Sequence, residues 1–462
     1  MSAEPLGLRP RVPSGWRVVA SLVLAALAYA TMQMMVVPAL PEIQRDLGVD
    51  AGATAWLVSA FLLSTTIATP VLGRLGDVHG KERVLVLVLA VVALGSLVGA
   101  LAGSLPVLIV ARVLQGLGGA VFPLAYGLAR DALPRERVPL AIGLIAGSFG
   151  VGGSVGLVLC GPLVELFSWH AIFWCGIAIP LAAIAGVRAF VPSSPRREPV
   201  PLDWVGAVGL AAALLPLLIG VAQARTWGAL SAPVLALVLG GCAGVVAWGR
   251  WELSRAAPLI DLRLMARRSI WPVNAVAVLV GFSMYATGYL VPQFVQGDPA
   301  ADGFGFGAGV TETGLFLLPA LLAGLLAGAA AGALGGRIGS KLPLRLGIAT
   351  MLCGYVVLAF AHEVAWPVYV GTLLAHGIGL NLAYTAMSNL IVAAAPAEQV
   401  GESSGMNTML RTVGGALGSQ LAGALVAGGE SSAFTTAFLL LGAVSAAALL
   451  LSRLVVADRV AR

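Results

Sequence analysis

An all-α integral membrane protein with 14 transmembrane helices is the fold class this sequence predicts, and three observations predict it. Of 462 residues, 59% are hydrophobic and only 10% are charged, whereas soluble domains carry roughly 25% charged residues. The apolar residues gather into fourteen runs, each near the roughly 20 residues a helix needs to cross the hydrocarbon. Basic residues fall between the runs with an alternating bias, which orients a multi-pass chain across its bilayer. The predicted plan is two six-helix halves plus two extra central helices.

Spans are predicted near 18–40, 53–73, 84–103, 106–127, 138–160, 171–191, 204–222, 230–249, 269–293, 311–334, 343–361, 366–392, 405–428 and 433–454. The first follows Arg9, Arg11 and Arg17. It is too long for a signal-peptide core and lacks a small-x-small cleavage site, so it is read as retained. Spans two and three enclose a charged loop, and span four contains Arg112. Span five is rich in glycine (Gly143, Gly147, Gly150, Gly152, Gly153, Gly156), which suits close helix packing. The polar, proline-rich stretch Pro192 to Pro199 breaks the chain after span six. Spans seven and eight lack embedded charge and end at the polar interval Arg250 to Arg268, so they are expected as peripheral additions. Six more spans complete the second half. The expected organisation is a cytoplasmic N-terminus (1–17), an N-terminal six-helix bundle (18–191), a linker with two added helices (192–268), a C-terminal six-helix bundle (269–454) and a cytoplasmic tail (455–462).

With both termini inside, all but four of the 27 Lys and Arg fall on the inner side. The exceptions are Arg45 and Arg225 outside, and Arg112 and Arg411 within spans. One missed helix would scramble that alternation. Location in the inner (cytoplasmic) membrane follows, with the lipid bilayer as the main partner. The net charge of +6 describes loops at a membrane face, and no nucleic-acid partner is expected. Four scattered cysteines suggest neither a disulfide framework nor a zinc site. Four scattered histidines give no cluster for a membrane-embedded enzyme. No metal, no cofactor, no enzymatic activity and a monomer are expected.

The charged loop reads Gly73-Arg74-Leu75-Gly76-Asp77-Val78-His79-Gly80-Lys81-Glu82-Arg83. Its glycines permit a tight turn, and Asp77 can cap a helix start or pair with an Arg. The plainer reading is an ordinary positive-inside loop. A weak echo, Gly332-Ala333-Leu334-Gly335-Gly336-Arg337-Ile338-Gly339-Ser340-Lys341, follows span ten, with Gly336 where the acid would fall. With the two central helices removed, both loops lie between the second and third helix of a half.

The Gly-x-Leu-Gly-Asp-x-x-Gly-Lys-x-Arg spacing resembles the loop signature of the major facilitator superfamily. Arg112-x-x-Gln115-Gly116 resembles that family's fourth-helix signature. Other elements resemble its fourteen-helix drug:proton antiporter branch: Trp56 to Phe61 with Pro70, Asp203 to Gly206, Pro258 to Leu264, Pro292 to Gly297, and Gly401 to Asn407 with Arg411. The resemblance runs from about residue 20 to 450. It implies paired six-helix halves that rock about a midplane site. It also implies export of small amphiphilic, drug- or antibiotic-like compounds by alternating access, driven by protons. Gly73, Asp77, Gly80, Lys81 and Arg83 would latch the halves in the outward-facing state. Arg112, with Gln115 on the same face, would assist proton transfer; the alternative is an Arg snorkelling to the outer rim.

The chain departs from the branch in two places. Aligned on Ser168-Trp169, the span-five element becomes Gly156-Leu157-Val158-Leu159-Cys160-Gly161, without its proline or first paired glycine. Met32 stands where the branch places a first-helix Asp, and no Asp or Glu falls mid-span. Coupling is therefore expected at His376, which titrates near physiological pH, or at the rim acid Glu312. The alternative for His376 is an interhelical hydrogen bond with Asn381 or another polar neighbour. The expected cavity offers Gln33, Tyr285, Tyr289, Gln293, Gln296, Asn381 and Tyr384, with positive potential from Arg112 and Arg411. It suits neutral or weakly anionic amphiphiles, and permanent dications should be transported weakly. Two rivals stay open: a narrow-specificity metabolite or self-resistance exporter with non-standard coupling, and a non-transporting sensor or channel.

Overall fold

A computed structural model describes residues 15–49, 51–193, 203–228, 230–255, 258–300, 303–426 and 431–456. Arg9 and Arg11, most of the proline-rich break (194–202) and the end of the tail (457–462) lie outside the described residues. Among the described residues fourteen long helices follow one another, because in lipid each segment must satisfy its own backbone N–H and C=O groups. In the first half they are α1 (Gly15–Leu47), α2 (Ala51–His79), α3 (Lys81–Ala100), α4 (Leu105–Ala132), α5 (Val138–Leu166) and α6 (His170–Phe190). The central pair is α7 (Trp204–Trp227) and α8 (Ala232–Ser254). The second half holds α9 (Trp271–Gln296), α10 (Val310–Ile338), α11 (Lys341–Ala361), α12 (Ala365–Ala394), α13 (Val400–Leu425) and α14 (Ser431–Leu451). A 3₁₀ turn at Leu117–Ala120 interrupts α4, and a π turn at Leu373–Gly379 widens α12.

Thirteen helices among the described residues are long and apolar enough to cross a membrane, one fewer than the 14 spans expected. The missing one is α13, whose Glu402, Ser403, Ser404, Asn407, Thr408, Arg411 and Thr412 lower its apolar content. All seven are buried against neighbouring helices. A helix sealed on most sides by protein can be this polar, because its solvent is other side chains rather than lipid.

In the first half α1 packs on α5, and in the second α9 packs on α13. The halves meet along two seams, α2 with α13 and α5 with α10. These seams exchange under the symmetry that relates the halves, since α10 corresponds to α2 and α13 to α5. The loop echo has a backbone counterpart: Gly80 and Gly339 both turn the chain at positive φ, 101° and 85°, a region that favours glycine. The central helices pack on each other, and α7 touches both α2 and α13, so this pair leans on each half.

Candidate functional site

The basic face of the bundle holds one set of contacts between the halves. Asp77 stands in the last turn of α2, only 6% exposed. Its carboxylate accepts hydrogen bonds from the amides of Gly401 (3.2 Å) and Glu402 (2.9 Å). Those amides belong to the first turn of α13, which has no intrahelical acceptors for them and carries the positive end of the helix dipole. Lys81 Nζ lies 3.5 Å from Asp77 Oδ1 and 2.8 Å from Asp131 Oδ2. Arg74 Nη1 donates to Glu402 Oε2 at 3.1 Å. At Gly73 a Cβ would sit 2.4 Å from the Gly401 carbonyl oxygen, and at Gly401 the same distance from that of Gly73. Arg83, named with this group, is exposed.

Arg130 makes the matching contact at the end of α12. Its Nη1 donates to the carbonyls of Val392 (2.6 Å) and Ala395 (2.8 Å), where the helix leaves acceptors unused. The first half thus grips the α12–α13 connection from both sides, with an anion on amides and a cation on carbonyls. Glu402 extends the grip, accepting from the Asp261 amide at 2.5 Å. Glu252 of α8 accepts from the Ile260 amide at 3.3 Å, and Asp261 caps the single helical turn Leu262–Met265. The linker is therefore pinned to α8 and α13 at once. Arg130, Arg74, Glu402 and Glu252 escape sequence reasoning about a site because each reads as a loop charge; their partners are 262, 328, 141 and 8 residues away.

Two arginines lie deeper. Arg112, 1% exposed, donates from Nε to the Leu57 carbonyl (3.0 Å) and from Nη1 to Gln115 Oε1 (2.8 Å) and the Met32 carbonyl (3.5 Å). It also lies 4.1 Å from the Phe61 ring centroid. Gln115 in turn donates to Ser96 Oγ at 3.0 Å. The knot ties α1, α2, α3 and α4 together and holds the guanidinium inside the bundle, away from the outer rim. Arg411, 5% exposed, lies 4.0 Å from the Tyr384 ring centroid. Both of its hydrogen bonds among the described residues leave from Nη2, to Tyr384 Oη (2.9 Å) and Thr408 Oγ1 (3.4 Å).

Around Arg411 the halves meet through aromatic rings. Tyr384 stacks on Phe149 of α5 at 6.0 Å and 19°, and meets Phe122 of α4 edge-on at 6.4 Å. Gln33 of α1 donates to Tyr285 Oη of α9 at 3.3 Å. The Tyr285 ring packs against Gly415, one turn beyond Arg411, where a Cβ would lie 2.2 Å from its Cδ2. Asn381 donates to the carbonyls of Gly377 (2.9 Å) and His376 (3.2 Å), two acceptors of the π turn. The alternative reading of His376, a side-chain hydrogen bond with Asn381, is replaced by a bond from Asn381 to the His376 backbone. The half-buried His376 ring has no hydrogen-bond partner among the described residues.

Gln33, Tyr285, Tyr384, Asn381 and Arg411 therefore converge between the halves. Tyr289 is half-buried and Gln293 and Gln296 are exposed, towards the far end of α9. Glu312 is exposed at the start of α10, where Oε2 accepts from the Gly309 amide at 3.0 Å as a helix cap. No group of three His, Cys, Asp or Glu side chains that could hold a metal occurs among the described residues. The arrangement offers aromatic faces, neutral hydrogen-bonding groups and a cation, which is the chemistry of binding.

The Major Facilitator Superfamily sequence profile matches residues 22–419 and 273–462. The chain is 29% identical to an MFS-type transporter of Mycobacterium tuberculosis over 88% of its own length, and spans 58% of that relative. It is 29% identical to the tetracenomycin C resistance and export protein of Streptomyces glaucescens, covering 92% of this chain and 79% of that one. The multidrug resistance protein Stp of Mycobacterium tuberculosis is 28% identical, over 84% of this chain and 72% of Stp. Among solved structures, the human organic anion transporter MFSD10 has the same fold, with a TM-score of 0.69 at 18% identity, covering 95% of this chain and all of that one.

Proposed function

The chain belongs to the Major Facilitator Superfamily, a family of multi-pass membrane transporters, and on that premise we propose that it exports small amphiphilic, drug- or antibiotic-like compounds by alternating access. All 14 long helices then cross the cell membrane, with the basic face and both termini cytoplasmic. The observation that carries the reading is the convergence of Gln33, Tyr285, Tyr384 and Arg411 between two halves that grip each other at the basic face. In this reading the cytoplasmic side is closed, with Asp77 and Arg130 as its latches. Resistance and export functions of the relatives favour the outward direction.

The export is driven by the proton gradient in this proposal. His376 is its carrier, because the π turn sets a titratable ring among helices without fixing it by hydrogen bonds. Glu312, committed to capping α10, is the weaker candidate. Met32, in place of a first-helix acid, and the likeness to an exporter named for one compound favour a second reading, a narrow-specificity self-resistance or metabolite exporter. Uptake of a compound panel into proteoliposomes, with and without an imposed pH gradient, tests both. Saturable flux that follows the gradient is expected; flux indifferent to the gradient would remove the proton, and no flux of any compound would remove the exporter. Permanent dications should rank low in that panel.

A further inference from the structure

We propose that Arg411 is an anion-recognition residue and that the compounds bound between the halves are planar aromatic acids carrying a carboxylate or ionised phenol. The proposal deepens the exporter reading and rests on its placement of substrate between the halves. Its basis is a contrast between two buried guanidinium groups. A guanidinium carries five N–H donors. Arg112 spends Nε and Nη1 on two helix carbonyls and the Gln115 amide oxygen, so its environment already supplies the negative ends of fixed dipoles. Arg411 uses Nη2 alone, which leaves Nε and Nη1 without a partner among the described residues. No carboxylate forms an ion pair with it there, and it is 95% buried. A buried cation left uncompensated is costly, and a bound anion that accepts from Nη1 or from Nε would relieve that cost with a charge-assisted bond.

The surroundings say what should carry the anion. Tyr384 lies beside the guanidinium and is itself flanked by Phe149 and Phe122, and the Tyr285 ring packs on α13 one turn away at Gly415. Planar rings stack on such faces at little entropic cost. Gln33 Oε1, on the other side of Tyr285, is buried without a partner among the described residues. It can accept from a hydroxyl or N–H on the same compound.

The test is binding of 2-naphthoate and of its neutral isostere 2-naphthamide to the purified full-length protein in detergent, by titration calorimetry. The acid should bind about tenfold tighter than the amide or better. Arg411→Gln should bring the two within about twofold, chiefly by weakening the acid. Arg411→Lys keeps the charge without the planar guanidinium and its fixed donors, so it should lower the acid preference by about threefold and guards against a poorly folded Gln variant. Equal affinities in the native protein, undetectable naphthoate binding, or a preference that survives in the Gln variant would overturn the proposal. Binding is read here without a gradient or a second compartment, so absent flux in proteoliposomes overturns the exporter reading alone.

Discussion

At the scale of residues, Arg112 and Arg411 are the same side chain in the same kind of interior with different numbers of acceptors. Lysine at position 112 would keep the desolvation cost and lose at least one of three fixed acceptors. We expect Arg112→Lys to lower stability by about 1–2 kcal/mol in detergent unfolding, and Arg411→Lys by less than half as much. Asp77 acts through its charge on two amides of α13. Asp77→Asn retains an acceptor of the same shape without that charge. It should weaken closure of the basic face by about 1–2 kcal/mol, roughly 5- to 30-fold in the ratio of closed to open forms. Spin-label distances between the basic ends of α2 and α13 would read the shift; an unchanged distribution would show that the contact does no latching. Both arginines and Asp77 could be singled out in the sequence, because charge in or beside an apolar run is conspicuous. Their difference in saturation could not, since two of the three acceptors of Arg112 come from other stretches of chain.

At the scale of elements, α2 and α13 approach until glycine backbones touch at Gly73 and Gly401. The obstacle to any larger residue there is backbone, which cannot rotate aside. Gly73→Val should therefore open the basic face further than Asp77→Asn in the same distance measurement. The linker between α8 and α9 is held differently, through Glu252 to Ile260 and Glu402 to Asp261. Glu252→Ala removes one anchor while leaving the helices intact. Amide exchange over residues 258–265 should accelerate by about tenfold, the equivalent of one lost hydrogen bond to a charged group; exchange at the native rate would show that Glu252 does not hold the linker. Sequence patterning located the helices well because apolar length is a local property. It placed a span at α13 but not the polarity of that helix's buried start, which reflects its neighbours, and it does not show that α7 rests on both halves.

At the scale of the molecule, two seams of helices join the halves, α2 with α13 and α5 with α10, and the candidate substrate groups lie between them. Coupling belongs at this scale, because one group must meet each side in turn as the halves rock. In proteoliposomes His376→Gln should retain downhill flux but lose its acceleration by an imposed pH gradient; full gradient-driven flux in that variant would remove His376 from the coupling path. The sequence by itself determined that the chain crosses a membrane many times, which loops carry the basic charge, and which family signatures it bears. Those properties depend on composition over about 20 residues and on short motifs. Only the tertiary structure decided that Asp77 meets the start of α13, that Arg130 meets the end of α12, and that Arg411 bonds through one guanidinium nitrogen where Arg112 bonds through two. These pairings join positions hundreds of residues apart, and a hydrogen bond depends on where two groups lie in space rather than on the chain between them.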